Sequence, residues 1–99
     1  ENIVYLELLR REFRVNVGKV GDREVDFVAS EKGQLIYYQV ATTVLAEETL
    51  KRELEAFSGI SDNFPRVLLT LDDIPAYANH SGVHQVYLLD WLLEMNRAY

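Results

Sequence analysis

Three polar residues sit where the surrounding sequence gives them no easy reason to be: Glu1, Asp26 and Gln39. Asp26 is the middle of Glu24-Val25-Asp26-Phe27-Val28, a β-forming run, and aspartate is a poor strand residue. Gln39 falls late in another such run, where a side-chain amide must find a hydrogen-bond partner. Glu1 lies four residues before Tyr5, on or beside the apolar stripe of a helix. If the strands carrying Asp26 and Gln39 pair as a hairpin, the two residues meet at one end of a sheet, and Glu1 can point to the same spot. Each also has a plain structural role open to it. Asp26 can accept backbone N–H bonds or pair with Arg14 or Lys19. Glu1 suits the positive end of a helix, and Gln39 can be a buried hydrogen-bonding residue.

The other chemical candidates are weaker. His80 and His84 are four apart, a spacing that suits a metal on a helix, but they fall in a Ser-Gly loop. Tyr37-Tyr38 offers rings for base stacking, yet neighbours on a strand point to opposite faces. Arg10, Arg11, Arg14 and Lys19 form a local basic cluster, read as a solvated or interdomain face before a phosphate track. With Lys51 and Arg52 they are the candidate nucleic-acid contacts. Gly18-Lys19-Val20-Gly21 is too short for a phosphate-binding loop of the Gly-x-x-x-x-Gly-Lys-Ser/Thr type.

The elements that must position these residues follow from periodicity. Residues 1–12 read as a helix, with Tyr5, Leu8 and Leu9 on an apolar stripe that Ile3, Val4 and Leu6 widen. Three strands follow, at 14–20, 24–29 and 35–41, separated by Gly21-Asp22 and by Glu31-Lys32-Gly33-Gln34. In the second, Val25, Phe27 and Ala29 are expected on one face, with Glu24, Asp26 and Val28 on the other. The third is nearly continuous in β-formers, so it is expected to be central and buried on both faces. A second helix covers 46–58, with Gly59 as its C-terminal cap. Residues 66–71 form a buried strand, and strand–helix–strand favours a right-handed parallel crossover. Residues 72–82 read as loop, 83–88 as a last strand, and Asp90 as the N-cap of a final helix carrying Trp91. The order is α-β-β-β-α-β, then β-α: an α/β or α+β sandwich on a mixed sheet flanked by helices.

Composition bounds the rest. At 99 residues there is room for one domain. The absence of cysteine excludes disulfides, thiolate metal sites and a cysteine nucleophile. No apolar run is long enough to span a membrane. A net charge of −6 argues against free-standing nonspecific nucleic-acid binding, which needs a basic footprint. The chain opens at Glu1, inside the first helix, and reads as a C-terminal piece of a longer protein.

Two resemblances join these observations. The Glu1, Asp26 and Gln39 positions, in an α-β-β-β-α-β order, resemble the core of the PD-(D/E)XK nuclease superfamily. There a helix glutamate, a strand aspartate and a glutamate or glutamine on the next strand hold a divalent metal, and a lysine two residues later helps activate water. The resemblance implies a restriction-endonuclease-like fold and Mg²⁺ or Mn²⁺ at Asp26 and Glu1, since such ions take oxygen ligands, keep several waters and acidify them. The pattern departs at Gln39-Val40-Ala41: Gln39 is neutral, and Ala41 stands where the lysine belongs. Lys51 or Arg52 on the next helix would have to compensate.

Over nearly its whole length the chain also resembles the DUF4143 domain. The resemblance rests on Glu1-Asn2-Ile3-Val4-Tyr5-Leu6-Glu7-Leu8-Leu9-Arg10-Arg11, Val17-Gly18-Lys19, Glu24-Val25-Asp26-Phe27-Val28 and Tyr38-Gln39-Val40. It continues through Asn63-Phe64-Pro65-Arg66-Val67-Leu68-Leu69-Thr70-Leu71-Asp72 and Asp90-Trp91-Leu92-Leu93. It implies a C-terminal domain of a cytoplasmic AAA-type ATPase, with ATP bound by a separate N-terminal domain that is its first partner. The expected function is a non-catalytic, nuclease-like accessory domain that engages DNA or a partner protein, with Asp26, Glu1 and Gln39 as the remnant of a catalytic site. The alternatives are a metal-dependent DNA endonuclease or exonuclease, and a docking or oligomerisation module with no nucleic-acid role.

Overall fold

In a computed structural model, residues 2–20, 23–74 and 78–98 are described. Helix α1 (Asn2–Arg10) leads into a meander of β1 (Arg14–Val20), β2 (Arg23–Glu31) and β3 (Gln34–Val40). Helix α2 (Glu47–Glu55) then crosses to β4 (Arg66–Thr70), and β5 (Asn79–His80), β6 (Val83–Tyr87) and α3 (Leu88–Ala98) complete the chain. The strands form one mixed sheet in the order β1-β2-β3-β4-β6-β5. The meander is antiparallel, whereas β3–β4 and β4–β6 are parallel. This is the α/β class expected of a restriction-endonuclease-like core. Among the described residues no helix is long and apolar enough to cross a membrane.

Local chemistry explains most boundaries. α1 closes in a Schellman pattern: the Phe13 N–H bonds to the Leu8 carbonyl and the Glu12 N–H to that of Leu9. Glu12 takes the left-handed position (φ 66°) that glycine usually fills, and Phe13 packs back onto the cluster containing Leu8. Lys32 (φ 52°) and Gly33 (φ 82°) form a two-residue hairpin turn between β2 and β3, matching the right-handed strand twist. Ser81 and Gly82 repeat that geometry between β5 and β6. Strand β5, only two residues long, lies inside the stretch 72–82 that the sequence reads as loop.

Three other expectations are corrected. α2 ends at Glu55 with Ala56, in helical conformation, as its C-cap; Gly59 lies beyond it in a run of turns. α3 begins at Leu88, directly after β6, so Asp90 sits within its first turn and is not the N-cap. The face assignment of β2 also breaks. The β1–β2 register runs from Asn16↔Val28 to Gly18↔Val25, so Asp26 and Phe27 together oppose Val17. That extra residue is a β-bulge, and it turns every residue before it to the other face. Phe27 and Ala29 therefore pack with Val4, Leu8, Tyr38, Leu69 and Trp91, whereas Val25 packs with Tyr37, Val44, Phe57, Leu68 and Val83.

These two clusters are the two faces of the sheet, one covered by α1 and α3, the other by α2. β3 is central, as its composition predicts, and Tyr37, Tyr38 and Gln39 are buried in succession. Tyr37 faces α2 and Tyr38 faces the α1/α3 side, so neither ring is presented for base stacking.

Candidate functional site

The β2–β3 ladder stops at Phe27↔Tyr38. Asp26 would pair next, and here side chains replace backbone. The Asp26 N–H donates to Gln39 Oε1 at 2.9 Å, and the Val40 N–H donates to Asp26 Oδ2 at 2.9 Å. The bulge against β1 falls where the ladder to β3 ends, and these side chains satisfy backbone groups that the ladder no longer pairs. Asp26 thus takes the structural role open to it, accepting a backbone N–H. It does not lie against Arg14, which is exposed and opposite Ser30, four residues along β2.

Gln39 completes the cluster by donating from Nε2 to Glu53 Oε1 of α2 at 3.1 Å. The orientation of the amide is fixed by its neighbours. The Asp26 N–H can only donate and so demands the oxygen; the Glu53 carboxylate can only accept and so demands the nitrogen. Asp26, Gln39 and Glu53 are therefore brought together from β2, β3 and α2. Glu53 is a member that sequence reasoning missed. It belongs to a helix face dense in charge, and nothing in its spacing separates it from Glu47, Glu48 and Glu55.

The expected metal set does not assemble from the described residues. Glu1 lies outside them. Gln39 spends its one amide oxygen on a backbone N–H, and Asp26 Oδ2 is spent likewise. Among the described residues no group of three or more His, Asp or Glu side chains is arranged to hold a metal ion. Asp26 and Gln39 each have an oxygen engaged by a backbone N–H, which leaves them fewer oxygens to offer Mg²⁺ or Mn²⁺. Ala41, at the lysine position, is half-buried against the α2-side cluster. Lys51 and Arg52 do not stand in for it. Both are exposed, and at about 100° per residue they are turned well away from the flank of α2 that carries Glu53.

The basic cluster also divides. Arg11 is no surface residue: it is 5% exposed, its guanidinium lies 4.3 Å from the Trp91 ring centroid, and Nε pairs with Glu7 Oε2 at 2.7 Å. Its Nη2 reaches the Trp91 carbonyl at 3.4 Å, and Nη1 is buried without a hydrogen-bond partner. Burial pushes the Arg11 pKa down, opposed by Glu7. Arg10 is exposed and paired with the same carboxylate at 2.6 Å. The hydrogen bond from Arg10, more than any other influence, holds the Glu7 carboxyl below its ordinary range. The Lys19 side chain lies outside the described residues. What remains of the proposed phosphate track is Arg14, Lys51 and Arg52, all exposed.

Two further polar systems lie on the α2 side. At the carboxyl ends of β3, β4 and β6, buried Asp72 accepts from Thr43 Oγ1 at 2.7 Å and from the Val44 N–H at 2.8 Å. Thr70 Oγ1 accepts from Gln85 Nε2 at 3.2 Å, and Gln85 Oε1 lies 2.8 Å from His80 Nε2. His80 is engaged there and His84 is exposed on β6, so the pair forms no metal site. At the opposite end, the Tyr37 hydroxyl donates to Asp62 Oδ2 at 2.5 Å. Burial, aided by Asp62, pushes the Tyr37 pKa up to about 12, and the Tyr37 bond holds the Asp62 carboxyl below its ordinary value. One surface depression is lined by Glu12, Arg14, Ser30, Glu31, Lys32 and Gly33; another is lined by Gln34, Asp62, Asn63, Phe64 and Pro65. Neither includes Asp26, Gln39 or Glu53.

Comparison with known proteins adds one relative. The chain is similar to an uncharacterized protein of Haemophilus influenzae, 37% identical over 94 residues. The match covers 95% of this chain but 22% of that protein, so the chain spans about a fifth of the length of the curated relative it matches. No model of a known protein family matches the sequence.

Proposed function

We propose that this chain is a non-catalytic, nuclease-like accessory module of a longer ATP-binding protein, and that its work is protein contact. One observation carries the reading. The Gln39 amide is spent on the Asp26 N–H and on Glu53, so the position that would hold a metal ligand is a structural tie. Ala41 offers no group to activate water. Asp26 and Gln39 are then the remnant of a catalytic site, kept because their side chains satisfy backbone groups that the ladder no longer pairs.

Charge favours a protein over DNA as the partner. The cluster's own carboxylates are Asp26 and Glu53, the net charge is −6, and Arg11 is withdrawn into the core. The similarity to a much longer bacterial protein supports a modular setting, since that protein has room beside its matched segment for an ATP-binding domain.

The test is nicking of supercoiled plasmid in millimolar Mn²⁺, by this chain and by the full-length protein with ATP. No cleavage above a metal-free control is expected. Mn²⁺-dependent cleavage that Asp26→Ala abolishes would overturn the reading and restore the nuclease alternative. A gel-shift titration decides the DNA arm: salt-sensitive binding at micromolar protein would contradict a purely protein partner.

A further inference from the structure

We infer that α2 is a strap, pinned at both ends and latched in the middle by Gln39 and Glu53, and that it opens locally while the sheet beneath it stays folded. The pins are strong. Before the helix, Val44 is 5% exposed and its N–H is held by buried Asp72; after it, Phe57 is 4% exposed within the α2-side cluster. Between the pins the hold is slight. None of the nine residues of α2 is buried, and Leu50 and Leu54 are only partly covered. The N-cap position is Ala46, whose side chain caps nothing, so the first-turn N–H groups gain no help from it. A helix this short is not stable by itself and depends on what it packs against.

The polar latch therefore matters more here than it would on a well-buried helix. Gln39 Nε2 donates to Glu53 Oε1 across the gap between sheet and helix, and Asp26 holds the amide in the orientation that makes this donation possible. Gln39 is buried beneath Glu53. Segments with few buried contacts open at free energies below that of global unfolding. The strap follows from packing alone and does not depend on what binds.

Native-state hydrogen exchange on this chain tests it. In the wild type, amides of residues 50–55 are expected to exchange faster than those of Leu68 and Leu69 in β4. Glu53→Ala is expected to speed the α2 amides about 5-fold, the loss of one ordinary hydrogen bond, and to leave β4 unchanged. Glu53→Met, which keeps the volume, removes the acceptor and leaves the Gln39–Asp26 bond in place, should do the same. Equal protection of α2 and β4 in the wild type would overturn the inference. So would a uniform acceleration of both elements by either variant, or no acceleration of α2.

Discussion

The two faces of the sheet are built on different terms. On the α1/α3 face Val4, Leu8, Phe27, Ala29, Tyr38, Leu69 and Trp91 form an apolar cluster, and buried Arg11 is stacked on Trp91. The α2 face interleaves its apolar residues with Gln39, Thr70, Gln85 and the Tyr37–Asp62 pair. Apolar burial is non-directional and scales with area, whereas a buried polar group must meet a partner at a fixed distance. The first face is thus suited to supply stability. The second fixes where β2, β3 and α2 sit, and it is the face on which Gln39 meets Glu53.

The largest expected effect breaks the first face. Trp91→Ala removes a 7% exposed ring that meets Tyr38 edge-on at 5.6 Å and carries Arg11 on its surface. A loss of about 3–5 kcal/mol by denaturant titration is expected. Asp26→Ala tests the second face. It strands the Val40 N–H and should cost about 1–3 kcal/mol, less than Trp91→Ala; an equal or larger loss would erase the distinction between the faces.

Tyr37→Phe is expected to cost about 1–2 kcal/mol at neutral pH, with a pH signature. The native state holds the Tyr37 proton up to about pH 12, whereas the unfolded chain releases it near pH 10. The contribution is therefore whole below pH 10 and fades as pH rises toward 12. The stability gap between wild type and variant should close over that interval. Asp62 behaves oppositely: its carboxyl is held low, so its contribution is present above its ordinary pKa and lost as pH falls below it.

The smallest effect is expected at Arg11→Met. It removes a buried guanidinium with an unpartnered Nη1 and keeps apolar volume over Trp91, so stability should change by less than about 1 kcal/mol, and a gain is allowed. A loss of several kcal/mol would show that the buried charge is itself a main support of the α1/α3 face.

The legible parts of the molecule were those set by local pattern. Alternating Val15 and Val17, the Lys32-Gly33 turn and the run from Leu35 to Val40 each identify an element from a few adjacent residues, and the element order holds apart from the two-residue β5. What was not legible is non-local. A bulge at Asp26 leaves strand propensity intact but shifts the period by one, so Val25 faces the opposite side from Phe27, against simple alternation. Arg11 follows Arg10 on the polar side of a helix and reads as solvated. Trp91, 80 residues away, makes a buried place for it. The Asp26–Gln39 pairing was readable because a carboxylate inside a strand demands a reason. Its third member, Glu53, was not, since a glutamate on a charged helix demands none.

The central claim is that the Asp26 end of the sheet is closed by its own hydrogen bonds and is not a metal centre. It is tested most directly by paramagnetic line broadening, with Mn²⁺ titrated into isotopically labelled protein. The expected result is no selective broadening of the Asp26, Gln39 and Val40 amides at submillimolar Mn²⁺. Selective loss of those three signals, relieved by chelator and absent in Asp26→Asn, would contradict it.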